Sequence, residues 1–181
     1  MGPTEVVLRM SEYGMPYPGM TLVAPAVFTL YGDGRAIYET NGGAVAPSPT
    51  LDLRQALLTA GQVDELVADA LGPGGLAGAR AEYRFTETSD HTVTYFELHA
   101  AGLDKRVAAY ALGSVGPDPI PDADANRALG ALAARLRNFD NDVASGRAIV
   151  AGAYEPQAYE ATLSVPSRGV QPTALFGRGR N

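Results

Sequence analysis

The sequence has no cysteine, no tryptophan and only two histidines, and its 14 basic residues include a single lysine. Without cysteine there is no disulfide bond, no thiolate metal site and no cysteine nucleophile. No apolar run approaches the roughly 20 residues that a membrane-spanning helix needs. Basic residues are outnumbered by 20 acidic ones, and the net charge of −6 argues against a general nucleic-acid binder.

What remains is a chain of 181 residues, 46% of them hydrophobic, which is long enough for one domain with a substantial core. We predict a single domain over residues 1–165. Residues 166–181 are rich in glycine and arginine, and we predict a C-terminal tail there that is loose unless a partner orders it.

Alternating and β-branched runs predict several strands, beginning with residues 4–10. Asp33-Gly34 lies between two such runs and predicts a hairpin over residues 22–40, with Gly32 and Gly34 at positive φ. We interpret Asp33 as a turn residue that bonds its own backbone rather than as a cation ligand. A second hairpin is predicted over residues 92–112 with its turn at 101–104, and further extended segments at 81–87 and 159–165. Residues 51–58 are compatible with a strand or a helix, and we favour a strand because a helix start follows at Thr59.

Two segments have helical periodicity. Thr59 and Gln62 match a capping box and predict a helix over about residues 60–71. Asp122 or Asp124 can cap a second helix. Apolar residues spaced three and four apart predict that this helix continues through about residue 144. We therefore predict an α+β fold in which an antiparallel sheet built from hairpins carries two amphipathic helices on one face.

The candidate binding residues are tyrosines and one polar strand face. Residues 12–20 are predicted to form a loop that contains Tyr13 and Tyr17, and strand alternation puts Tyr95, Glu97 and His99 on one face. Tyrosine suits recognition surfaces because it offers a large contact area at low entropic cost. These five residues are our predicted ligand-binding set.

Glu97 and His99 also have the side chains of a zinc site or of a general base with an orienting carboxylate. The only other histidine, His91, is about 26 Å from His99 along a straight strand, so one strand cannot bring both to one metal. A solvated sheet face is the favoured interpretation, and we assign no catalytic residue, metal ligand or cofactor.

Four segments, in order, carry a resemblance: Phe-Thr-Leu-Tyr-Gly-Asp-Gly-Arg at 28–35, Asp-His-Thr-Val-Thr-Tyr-Phe-Glu-Leu at 90–98, Val-Ala-Ala-Tyr-Ala-Leu-Gly at 107–113 and Tyr-Glu-Pro-Gln-Ala-Tyr at 154–159. Together they resemble a group of uncharacterised secreted or lipid-anchored proteins of high-GC bacteria. The resemblance implies export and an extracytoplasmic or cell-surface location, and it implies no activity. The sequence departs from the group in lacking the signal segment and the lipid-attachment cysteine.

The leading hypothesis is a non-enzymatic extracytoplasmic domain that binds a protein or a cell-envelope component, without a nucleic-acid partner or a membrane span. One alternative is a metal-dependent enzyme or metal-binding protein that uses Glu97 and His99. Another is a self-assembling subunit whose ends, residues 1–10 and 170–181, add strands to neighbouring copies.

Overall fold

The computed structural model describes residues 2–13, 26–40, 52–87, 89, 91–114 and 120–155. These residues form eight strands and three helices, in the order β1 (Val6–Tyr13), β2 (Ala26–Tyr31), β3 (Arg35–Glu39), β4 (Leu53–Leu57), α1 (Ala60–Leu71), β5 (Glu82–Arg84), β6 (Val93–Ala100), β7 (Leu103–Tyr110), α2 (Ala123–Arg137), α3 (Asp140–Ala144) and β8 (Ile149–Ala153). The broad prediction of an α+β fold with a mostly antiparallel sheet is confirmed.

All eight described strands belong to one sheet, in the order β5-β7-β6-β1-β2-β3-β4-β8. Among the pairs that the described residues form, β5 with β7 is parallel and the others are antiparallel. The strand predicted at 51–58 is confirmed, because β4 pairs with both β3 and β8. No pattern in the sequence predicts β8, which is short and contains Gly152. The strand predicted at 159–165 and the tail at 166–181 lie outside the described residues.

The loop predicted over residues 12–20 is wrong at its first two residues. Glu12 and Tyr13 belong to β1, where they lie opposite Thr94 and Val93 of β6. The ladder continues through these two residues because the prolines that prevent pairing come only at Pro16 and beyond. Residues 14–20, including Tyr17, lie outside the described part of the chain.

The turn of the first hairpin, between β2 and β3, packs against the segment that leads into α1. Gly34 adopts a φ of 84°, as predicted, whereas Gly32 is not among the described glycines with positive φ. A Cβ atom on Gly34 would lie 2.3 Å from the carbonyl oxygen of Leu58, so this position has no room for a side chain. Asp33 accepts the backbone N–H of Arg35 at 3.0 Å, which confirms its interpretation as a turn residue.

The second hairpin turns in two residues. Ala101 and Gly102 both have positive φ, 53° and 75°, the backbone of a type I′ turn whose twist matches that of the strands. Leu103 and Asp104, which were predicted in the turn, already belong to β7.

The capping box of α1 is confirmed. The Thr59 backbone N–H donates to Oε1 of Gln62 at 2.8 Å, and the Gln62 N–H donates to Oγ1 of Thr59 at 3.3 Å. These bonds satisfy backbone donors that the first turn of a helix otherwise leaves free.

The single helix predicted through residue 144 is wrong, because α2 ends at Arg137 and α3 begins at Asp140. At the break, the Asn138 side-chain amide donates to the carbonyl of Ala134 at 2.8 Å, and the Asn138 backbone leaves the helical region. The bend turns Phe139 into the core.

The ring of Phe139 packs 4.8 Å from that of Phe28 and 5.2 Å from that of Tyr38, centroid to centroid. One core cluster contains residues of α1 and α2 together with strand residues of a single sheet face, among them Leu66, Leu132, Leu136, Phe28, Leu30, Phe96 and Leu98. We call this side of the sheet the core face and the opposite side the outer face.

Candidate functional site

The alternation of β6 separates the two faces as predicted. Phe96 and Leu98 are fully buried on the core face, whereas Tyr95 and Glu97 are half-buried and His99 is exposed on the outer face. Cross-strand partners share a face, so the register of the sheet assigns neighbouring side chains to the same side.

Four of the five predicted binding residues share the outer face: Tyr13, Tyr95, Glu97 and His99. The rings of Tyr13 and Tyr95 meet edge to face, with centroids 5.3 Å apart and an interplanar angle of 84°. Such pairs contribute roughly 0.5–1.5 kcal/mol beyond the area they bury. The fifth residue, Tyr17, lies outside the described residues.

Glu97 lies between two arginines on the neighbouring strands, both directly opposite it in the register. Its Oε1 is 2.5 Å from Nη2 of Arg106, and its Oε2 is 3.5 Å from Nη1 of Arg9. His99 faces Asp104 instead, with Nδ1 and Oδ1 3.2 Å apart. Both oxygens of Glu97 are therefore engaged by cations.

This arrangement does not favour the metal alternative. In the part of the chain that the structure describes, no three His, Asp or Glu side chains come together as a metal site. His99 lies near the end of β6, whereas His91 precedes the strand by two residues.

The arginines of the outer face were not predicted from the sequence. Arg35 lies over the ring of Tyr31 at 5.0 Å and Arg84 over that of Tyr110 at 4.5 Å, distances at which a guanidinium is attracted to an aromatic face. With the residues around Glu97 they form a set that we call the Tyr–Arg surface: Tyr13, Tyr31, Tyr95, Tyr110, Arg9, Arg35, Arg84 and Arg106. Each of these side-chain pairs joins two different strands. Predicting them would have required the register of the sheet, which the sequence pattern does not contain.

A small polar pocket of about 200 Å³ opens near the start of β6. Its lining includes His91, Glu12 and Arg137. The carboxylate of Glu12 is held by the guanidinium of Arg137 and by the Thr94 hydroxyl, which donates to it at 3.2 Å. These contacts with an arginine and a threonine fix the position of the Glu12 carboxylate in the pocket wall.

A larger groove of about 540 Å³ lies between α1 and the two hairpin turns. One wall is the α1 stripe of Val63, Val67 and Leu71, and the other comes from residues 32–34 and 100–101. These α1 side chains are only half-buried against the core, so the groove has an apolar wall that remains accessible.

An ion network centred on one buried carboxylate joins the helices. The Asp142 side chain is 3% exposed; its Oδ2 is 2.8 Å from Nε of Arg135 and its Oδ1 2.7 Å from Nη2 of Arg147. Arg135 also reaches Asp69 of α1 at 2.7 Å. Burial lowers the pKa of Arg135, but hydrogen bonds and charge from Asp69 and Asp142 outweigh it and raise the pKa above its usual value.

Near this network, the Tyr38 hydroxyl donates to Oδ1 of Asp140 at 3.2 Å. Burial, followed by the negative charge of Asp140 and this hydrogen bond, raises the pKa of Tyr38 to about 12. The phenol therefore stays protonated and acts as a donor that ties β3 to α3.

Comparison with protein-family models, with curated proteins and with solved structures finds no match to this chain. Among the described residues, no helix combines the length and the apolar character that crossing a membrane requires.

Proposed function

We propose that this chain is a non-enzymatic binding domain in which the helices cover one face of the sheet and the Tyr–Arg surface binds a protein partner. The resemblance to exported proteins supports a partner in the cell envelope. The observation that carries the proposal is the collection of four tyrosines and four arginines on the outer face.

Tyrosine and arginine are enriched both in protein interfaces and among the residues that dominate their binding energy. The side chains of this surface are also held in place before any partner arrives. Tyr13 packs against Tyr95, and Arg84 lies over Tyr110. A prearranged surface loses less side-chain entropy on binding, because fewer rotamers are frozen.

The charges of the surface favour contact with a mixed or acidic patch. The Arg106 side chain is 76% exposed and that of Arg84 52%, whereas Glu97, which balances Arg106, is only 20% exposed. Arg84 is itself paired with Glu87, whose side chain is 90% exposed, and Asp104 is 84% exposed. A partner therefore meets guanidinium groups, tyrosine rings and these carboxylates, with Glu97 beneath them.

Affinity capture from a cell-envelope extract of a high-GC bacterium tests the proposal. The wild-type chain is compared with Arg106→Glu and Tyr13→Ser on the surface and with Arg127→Glu on α2, whose side chain is 77% exposed. We expect a protein that the wild type and Arg127→Glu retain and that both surface variants lose. Equal capture by all four chains, or capture by none, would contradict the proposal.

A separate experiment tests the proposal that the domain is not an enzyme. A panel of ester, amide, phosphoester and glycoside substrates is assayed with the wild type and with His99→Ala. Turnover that disappears in His99→Ala would show that the outer face is catalytic. We expect no turnover that depends on His99.

A further inference from the structure

We propose that the groove between α1 and the two hairpin turns binds a small amphiphilic amine, a ligand with an apolar body and one cationic head. The inference is independent of the Tyr–Arg surface, because the groove is lined by residues of the helix side and of the hairpin turns. It rests on the shape of the groove, its apolar walls and the sign of its charges.

The volume and the walls fit a small ligand. About 540 Å³ lies within the usual range of small-molecule sites, roughly 300–1,000 Å³. Val63, Val67 and Leu71 recur every four residues along α1, so they form a continuous strip on one side of the helix. The floor is closed by Val7 and Leu58, which are 1% and 8% exposed.

The opposite wall is formed by the two hairpin turns, most of whose groove-lining residues have small side chains or none. Gly32 and Gly34 add no side chain, and Ala100 and Ala101 add only methyl groups. Gly34 cannot be replaced by a larger residue without moving Leu58, because the backbone approaches too closely. The Leu58 N–H also donates to the Gly34 carbonyl at 2.8 Å, so the hairpin turn is fixed against this residue of the groove floor.

The charges select a cation. The ionisable residues among the described lining are two carboxylates, Asp33 and Asp64. Asp33 accepts the Arg35 N–H, its Oδ2 lies 3.7 Å from Nη2 of Arg35, and its side chain is 36% exposed, so its charge is partly balanced but accessible. Asp64 is exposed on α1, on the groove side of the helix. A chain that carries −6 overall adds to the same preference.

The N-terminal end of α1 also borders the groove at Ala60, and helix N-termini favour anions. Here the capping box already supplies oxygen acceptors to the first turn. The groove is thus bordered by two carboxylates, one of them paired with Arg35, and by a helix end whose donors are partly satisfied. Comparing probes of opposite charge tests which sign of ligand the groove prefers.

Isothermal titration calorimetry with three eight-carbon probes makes that test: octylammonium, octanol and octanoate. They share the apolar chain and differ in the charge of the head. We expect octylammonium to bind roughly tenfold more tightly than octanoate, which corresponds to about 1.4 kcal/mol, with octanol between them.

The charge variants are Asp33→Asn and Asp64→Asn, with Glu65→Gln as the matched control, because Glu65 is exposed on the same helix but is not among the groove-lining residues. We expect the double variant to bind octylammonium and octanoate equally and Glu65→Gln to keep the wild-type ratio. Octanoate binding as well as or better than octylammonium to the wild type would overturn the proposal.

The location is tested by filling the groove. Ala68→Phe puts a ring at a groove-lining helix position that is exposed, so the fold should tolerate it, and Ala131→Phe makes the same change at an exposed position on α2. We expect Ala68→Phe to weaken all three probes at least tenfold and Ala131→Phe to leave them unchanged. Equal binding by both variants, or no binding of any probe to the wild type, would show that the groove is not the site.

Discussion

Two carboxylates of this protein each lie between two arginines, but in different surroundings. Asp142 is held by Arg135 and Arg147 beneath the helices, and its side chain is 3% exposed. Glu97 is held by Arg106 and Arg9 on the outer face, and its side chain is 20% exposed. Each site pairs one carboxylate with two guanidinium groups. We therefore expect the difference in burial to decide how much each site contributes to the free energy of unfolding.

Removing one partner of a buried ion pair leaves an uncompensated charge in a medium that solvates it poorly. An exposed pair gains little, because water screens the charges and the long side chains lose entropy. We therefore interpret the Asp142 network as a structural tie between α1, α2 and α3. The Glu97 network keeps arginines in fixed positions on a face that remains accessible to a partner.

The largest expected effect is at Asp142. In Asp142→Asn the amide NH₂ would face a guanidinium, so one arginine loses its acceptor and both lose the charge that balances them. We expect the free energy of unfolding to fall by about 3 kcal/mol. Urea denaturation measures it, with Asp124→Asn as the control, because that carboxylate is 96% exposed and pairs with an exposed arginine. A loss no larger than that of the control would refute the structural interpretation.

The second test keeps the charge and changes the shape of the donor. Arg135 uses Nε for Asp142 and Nη1 for Asp69, and a lysine ammonium cannot occupy both positions. We expect Arg135→Lys to lower the free energy of unfolding by roughly 1–2 kcal/mol, the loss of one charged hydrogen bond. Arg106→Lys on the outer face should change it by less than about 0.5 kcal/mol. Equal effects in the two variants would mean that burial does not separate the networks.

The third test uses pH on the buried side. The pKa of Tyr38 is raised to about 12, above its ordinary value near 10, so the folded state holds this proton more tightly than the unfolded state. The resulting stabilisation is complete below pH 10 and is lost as the pH rises towards 12. We expect the stability difference between wild type and Tyr38→Phe to shrink over that interval. A difference that stays constant from pH 9 to pH 12 would contradict the raised pKa.

Local patterns in the sequence were enough to predict one member of the outer network, Glu97, but did not mark the Asp142 network. Alternation along β6 puts Glu97 on the outer face with Tyr95 and His99, because side chains of a strand alternate whatever its neighbours are. Arg9 and Arg106 could not be assigned to Glu97, because that pairing depends on which strands are adjacent and in which register. The central position of β1 between β2 and β6 is likewise a property of the whole sheet.

Local patterns also could not reveal that the predicted single helix is divided into α2 and α3. Leu136, Phe139 and Val143 continue the apolar steps of α2, so the periodicity gives no sign of a break. The break is marked by Asn138, whose amide competes for a backbone carbonyl, and it is stabilised by the tertiary contacts of Phe139 with Phe28 and Tyr38. A helix that bends to fill the core cannot be distinguished from a straight one by spacing alone.

The position of β1 also bears on the self-assembly alternative. Its backbone pairs with β2 on one side and β6 on the other, so residues 6–10 lie inside the sheet rather than at a free end. These residues would have to leave two strand partners before adding to a neighbouring copy. Residues 170–181, the other end named in that hypothesis, lie outside the described residues.

The smallest expected effect is at Glu97. Glu97→Gln removes the charge between Arg9 and Arg106 but keeps the size of the side chain. Because the site is partly exposed, we expect a loss of only about 0.2–1 kcal/mol in the free energy of unfolding. Raising NaCl from 0.1 to 1 M should shrink this difference, since the Debye length falls from about 10 Å to about 3 Å, whereas the Asp142→Asn difference should persist. If the two variants respond equally to salt, the outer network is as sheltered as the buried one. The arginines around Glu97 would then be structural, and the Tyr–Arg surface would lose its accessible charges.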